Sequence, residues 1–173
     1  MKGHIILVGL PGSGKSTVGA ALAAAIGRAF LDFDEEIARR AGRTVAEIFA
    51  ADGEAHFRAA ERALTAELQG AEPMVLAPGG GWIATPGNLE LLRPPGTVVY
   101  LAVSPLTALD RMGSEVVTRP LLAATERAEA LEALLERRKP LYLQANHVVS
   151  TDLLAPDDVV RRIVALAGVG TTD

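Results

Sequence analysis

The chain has no cysteine. That excludes disulfides, zinc–thiolate sites and thiol catalysis. Histidine is nearly as scarce, and His4, His56 and His147 do not form a spaced ligand cluster. No apolar stretch is long enough to span a bilayer. No secretory leader is visible, because the first apolar run is short and broken by Gly9 and Pro11. No membrane partner and a cytoplasmic location are therefore expected. Positive charge is not in excess either. A net charge of −4 argues against an electrostatic nucleic-acid binder, and no nucleic-acid partner is expected. There is no internal repeat, linker or low-complexity tract. With 49% apolar residues, the 173-residue chain has enough to build one core, so a single domain over 1–173 is expected.

Lysine is the most informative shortage. Fourteen of the seventeen basic residues are Arg, and only Lys2, Lys15 and Lys139 are Lys. Where Arg is the default cation, a Lys in a special place suggests a need for a compact ammonium. Lys15 sits in Gly9-Leu10-Pro11-Gly12-Ser13-Gly14-Lys15-Ser16, which matches G-x-x-x-x-G-K-[ST] at every fixed position. An apolar run, His4 to Val8, precedes it, and an Ala/Leu-rich run ending at Ile26-Gly27 follows. That is strand, glycine turn, helix. Such a turn aims several backbone N–H groups into one concavity where phosphate oxygens fit, and the positive end of the helix faces the same point. Gly12, Ser13, Gly14, Lys15, Ser16 and Thr17 are the expected nucleotide-binding residues. Lys15 would reach the outer phosphates and Ser16 would hold a Mg2+. The alternative is a glycine turn with no ligand.

Strand and helix signals alternate to the end. Strands are expected over 4–9, 29–31, 74–77, 97–102 and 147–150. Helices are expected over 15–26, 35–41, 45–51, 53–68, 88–92, from Ser104-Pro105 onward, 127–143 and 156–166. Residues 114–126 lack periodicity. This pattern predicts a three-layer α/β/α fold around a five-stranded parallel sheet. Ligands of such sheets lie beyond the strands' carboxyl ends. The glycine loop, the pair Asp32/Asp34 and the run Gly79-Gly80-Gly81 all fall there.

Asp32 and Asp34 sit at a strand end, where one can approach the metal and the other can accept a hydrogen bond from a substrate hydroxyl. The alternative is a polar loop and helix cap. Arg58 can fork a carboxylate, or it can form an exposed pair with Glu61, which would contribute little. Gly79, Gly80 and Gly81 would let the backbone approach a ligand closely, or form a plain loop.

Taken together, these pieces resemble the shikimate kinases over nearly the full chain. The matching residues are Gly9–Ser16, Asp32-x-Asp34, Ile48-Phe49, Gly53-Glu54-x-x-Phe57-Arg58-x-x-Glu61, Gly79–Gly81, Arg119-Pro120-Leu121-Leu122 and Arg138-x-Pro140-Leu141-Tyr142. The resemblance implies a nucleoside-monophosphate-kinase-like P-loop fold, transfer of the ATP γ-phosphate to the 3-hydroxyl of shikimate, and a cofactor set of ATP and Mg2+. It assigns Asp34, Arg58, the triple glycine and Arg138 to shikimate, Ser16 and Asp32 to the metal, and Lys15, Asp34 and Arg119 to catalysis. Arg119 would also touch ATP from a lid over about 114–126, and the substrate-binding helices would span about 33–61. A monomer is expected. Phe33 and Trp82 are bulkier than the family pattern leads one to expect, and would either pack around the substrate ring or fill core. Residues 112–117 lack the Arg expected to stack on adenine, for which Arg111 is the substitute. A gluconate-type kinase and a non-catalytic nucleotide-binding module are the rival readings. Arg58, Arg138 and the triple glycine together favour shikimate over the first, and the second would not need Asp34 beside two carboxylate-binding arginines. A guanine-specifying motif is absent.

Overall fold

The computed structural model describes residues 3–113 and 124–171. Five strands form one sheet: β1 (Ile5–Val8), β2 (Phe30–Asp32), β3 (Val75–Ala77), β4 (Thr97–Ala102) and β5 (His147–Ser150). Their order is β2-β3-β1-β4-β5 and every pairing is parallel. The helices are α1 (Lys15–Ala25), α2 (Phe33–Ala41), α3 (Val45–Glu67), α4 (Asn88–Leu92), α5 (Pro105–Met112), α6 (Ala124–Tyr142) and α7 (Pro156–Ala167), with a 3-10 turn at Trp82–Ala84.

Alternation along the buried strands sends successive side chains to opposite faces. Ile5 and Leu7 of β1, with Val99 and Leu101 of β4, pack against Val18 and Leu22 of α1 and Val159 and Ile163 of α7. Ile6 and Val8, with Val98 and Tyr100, pack against Phe33, Ile37, Phe57, Leu64 and Tyr142. Helices thus cover both faces, as the sequence predicts. His4 joins the lower ends of the layers: its Nδ1 accepts from Met74 N–H at 3.2 Å, so Nε2 is the nitrogen that donates to Leu68 O at 3.0 Å.

Three boundaries differ from the sequence reading in ways that matter for the site. The helix expected from Glu35 begins at Phe33, directly after β2, so Asp34 lies in its first turn. The two helices expected over 45–51 and 53–68 form one run, α3, bent at Gly53 (φ 81°, ψ 170°) and opened by a capping box between Thr44 and Glu47. The helix expected from Arg127 begins at Ala124, so the end of the aperiodic stretch is helical. The rest of that stretch, including Arg119, lies outside the described residues.

Candidate active site

Beyond the carboxyl ends of the strands lies a cavity of about 630 Å³. Pro11–Val18, Asp32, Asp34 and Ala77–Gly80 line one part, and Arg111, Met112, Thr151, Leu154 and Pro156 line another. The glycine loop therefore meets Asp32, Asp34, Gly79 and Gly80 as expected. Gly14 caps α1 in a left-handed conformation (φ 89°) and no side chain bonds the first N–H groups of the helix. Those donors are left facing the cavity, which suits phosphate. Gly12 (φ 75°) fits close against the Ala108 carbonyl, where no Cβ could be placed.

Lys15 Nζ curls back over the loop and donates to Gly9 O at 3.1 Å and Leu10 O at 3.0 Å. Burial of the ammonium lowers its pKa from 10.5 to about 8, although the residue as a whole stays partly exposed. Asp34 and Asp32 oppose that shift, and Arg138 adds to it. These charges share one field across the cavity.

Asp32 is the helix cap that the sequence offered as one alternative, and its second oxygen is turned to the phosphate loop. Its Oδ1 caps α2 by accepting from Asp34 N–H at 3.0 Å and Glu35 N–H at 3.4 Å. Its Oδ2 accepts from Ser16 Oγ at 2.6 Å. Ser16 and Asp32 are thus a pair of hard oxygen donors beside the phosphate loop, a set suited to Mg2+ completed by phosphate and water oxygens. No group of three or more metal-binding side chains exists among the described residues, so phosphate would have to supply part of the shell.

Asp34 Oδ1 is buried and unpartnered in the protein, and Glu61 Oε1 is too. A Cβ on Gly79 would lie 2.8 Å from each, so both oxygens converge on that glycine. Burial raises the pKa of Asp34, Asp32 raises it further, and Lys15 and Arg58 oppose. Burial likewise raises Glu61, with Arg58 opposing and Asp34 adding to the rise.

Arg58 Nη1 donates to Glu61 Oε2 at 2.5 Å and its Nη2 to Glu54 Oε1 at 3.0 Å. The Arg58–Glu61 pair anticipated as an exposed contact has a fully buried carboxylate (0% exposed). The guanidinium also lies over the Phe57 ring, 5.5 Å from its centroid. Gly81 sits against Arg58 so closely that a Cβ would overlap the guanidinium. Arg138 Nη1 lies 3.2 Å from where a Gly80 Cβ would be. Arg58, Gly81 and Arg138 are not cavity-lining residues, yet both arginines abut the glycine run that is.

Two residues that the sequence patterns contain but that were not assigned to the site support it structurally. Glu61 orients Arg58. Tyr142, fully buried and stacked on Tyr100 at 4.8 Å, lies within the electrostatic reach of Arg138 and donates to Gly80 O at 3.4 Å. Their spacing was the available signal, since Arg58/Glu61 and Arg138/Tyr142 stand three and four residues apart on helices. Phe33 and Trp82 are both 0% exposed and off the cavity lining, so filling core, not packing around a ligand ring, is what they do. Arg111 does reach the cavity and is fastened there by bonds to Thr151 Oγ1 at 3.0 Å and to Thr151 O.

The family model described as shikimate kinase matches residues 11–167. The chain belongs to the shikimate kinase family. It is 47% identical over 161 residues to a shikimate kinase from Mycobacterium avium (strain 104), covering 92% of this chain and 90% of that one. Among solved structures, shikimate kinase from Acinetobacter baumannii in complex with shikimate has a TM-score of 0.88 and 39% identity, covering 96% and 93% of the two chains. A gluconokinase from Sinorhizobium meliloti shares the fold at a TM-score of 0.63, with 22% identity over 96% and 93% of the chains. That likeness extends to the fold alone. The family fits the geometry above: a phosphate loop and two arginines meet around a buried carboxylate.

Proposed function

We propose that this chain transfers the γ-phosphoryl group of ATP to the 3-hydroxyl of shikimate, releasing shikimate 3-phosphate and ADP, a step of aromatic amino-acid biosynthesis. One observation carries the reading: Asp34 lies in the same cavity as Lys15 and abuts Gly79, while Arg138 and Arg58 abut Gly80 and Gly81 of the same glycine run. An acid bearing hydroxyls satisfies both halves. Arg58 and Arg138 clamp the carboxylate. Asp34 accepts the hydrogen bond of the reacting hydroxyl and takes its proton as the oxygen bonds to the γ-phosphorus and the bond to ADP breaks. Gly12, Ser13, Gly14, Ser16 and Thr17 hold the phosphates, and Lys15 meets the charge that shifts between them. Ser16 and Asp32 would hold Mg2+, which neutralises phosphate charge. Arg111 faces the nucleotide half and supports the base-side assignment made from sequence. Residues 1–173 act as one domain, with the monomer as the working unit.

The test is an ADP-release assay with shikimate, quinate and gluconate as acceptors. Shikimate alone should turn over efficiently, and phosphorus NMR of the product should show a 3-phosphate. Preferred turnover of gluconate would overturn the assignment. ATP binding with no turnover of any acceptor would favour the nucleotide-binding module.

A further inference from the structure

Trp82 is the only tryptophan in the chain, is fully buried, and does not line the cavity. Yet it touches the elements that carry the substrate groups. Its backbone N–H donates to Gly79 O at 3.0 Å and closes the glycine run into a turn. Its ring meets Phe33, the residue between Asp32 and Asp34, edge-on at 79° with centroids 6.4 Å apart. Its indole Nε1–H donates to Thr65 Oγ1 at 2.8 Å, and that hydroxyl donates to Glu61 O at 2.7 Å. The 3-10 turn that Trp82 begins also packs on α6, which bears Arg138.

The direction of this relay follows from donor arithmetic. An indole N–H can only donate, so the Thr65 hydroxyl must accept it, and the one hydroxyl proton goes to the Glu61 carbonyl. Trp82, Thr65 and Glu61 are all 0% exposed. Shielded bonds of this kind are stronger than exposed ones, and breaking one strands a buried donor. The relay therefore ties the glycine turn to the stretch of α3 whose Glu61 carboxylate holds Arg58. The fit it maintains is tight, since Gly81 leaves no space for a Cβ beside the guanidinium and Gly79 leaves little between the two carboxylates. Small slips in such a site cost binding and rate.

We propose that Trp82 is a positioning residue: acting through Thr65, it holds the glycine turn in register with Arg58 and Glu61 and so sets the affinity for the acid substrate. The inference rests on the shikimate reading of this site.

Thr65→Val and Thr65→Ser test it by steady-state kinetics, because valine keeps the shape and removes the acceptor while serine restores it. Thr65→Val should raise KM for shikimate about three- to tenfold with kcat and KM for ATP little changed, the pattern of lost ground-state binding. Thr65→Ser should stay within about twofold of wild type, since it keeps the hydroxyl. Wild-type KM for shikimate in a folded Thr65→Val protein would overturn the proposal, and so would equal KM values in the two variants. If Thr65→Val does not fold, Trp82 emission in the unmodified protein decides. A change on saturation with shikimate, absent with ATP alone, supports the role, and emission indifferent to shikimate overturns it. Absence of shikimate turnover by the unmodified protein sinks the functional reading along with this one, whereas normal turnover with an unaffected Thr65→Val sinks only this one.

Discussion

Lys15 is a buried cation whose pKa burial has drawn down to about 8. Its folded value lies below the unfolded one, so its stabilising contribution is present only above 10.5 and is lost as pH falls through about 8. At neutral pH the ammonium opposes folding, which is explicable if phosphate is its partner. In the free enzyme kcat/KM for ATP should fall as pH rises through about 8, while kcat, measured with phosphates bound, should fall only at higher pH. A kcat/KM profile level to about pH 10, the ordinary lysine range, would contradict this. Lys15→Met should abolish turnover with no loss in melting temperature. Asp34 is the mirror case. Its pKa is raised, so the stability linked to its proton is present below 3.8 and is lost as pH rises through the folded value. Asp34→Asn should therefore remove turnover and, near neutral pH, raise the melting temperature. Calorimetry should show that difference shrinking as pH is lowered toward 4. A less stable variant at neutral pH would mean that the carboxylate is structural.

Among the elements, the junction of β2 and α2 shows what local reading can and cannot do. The DxD spacing marked a strand end that does line the cavity, but the helix start at Phe33 was missed because Asp32 caps it from inside the strand. The glycine run was legible as a close-approach loop, but not what it approaches. Gly81 meets the Arg58 guanidinium, which Glu54 and Glu61 hold in place. In Gly81→Ala the arginine must leave that position and loosen its pair with Glu61. Shikimate affinity measured by calorimetric titration should fall about tenfold or more, at about 1.4 kcal/mol per decade, with nucleotide affinity nearly unchanged and Tm lowered because buried Glu61 loses part of its compensation. Unaltered shikimate binding would show that Arg58 acts from another position.

For the whole molecule, the two arginines come from helices far apart in the chain, α3 and α6, and converge on one glycine loop. Arg58→Ala and Arg138→Ala should each weaken shikimate binding by about 2–5 kcal/mol, the usual cost of truncating one side of a buried charge pair, while ATP binding holds. Equal losses for both ligands would point to collapse of the site. The family resemblance, not local pattern, singled out Arg58 and Arg138, whereas the phosphate loop, the five strands and the parallel three-layer architecture were determined by the sequence itself. They rest on short-range physics: alternation, helical period, glycine turns and caps act within a few residues. Only the tertiary structure decided that Glu61 is buried under Arg58, that Tyr142 supports Arg138 and Gly80, and that Trp82 fills core while tying the glycine turn to α3. The bonds of Trp82 to Thr65 and of Tyr142 to Gly80 join residues 17 and 62 apart, and the burial of Glu61 depends on what packs over its helix. Their partners are set by how the layers pack, because a buried donor must take whichever acceptor the folded chain brings within reach.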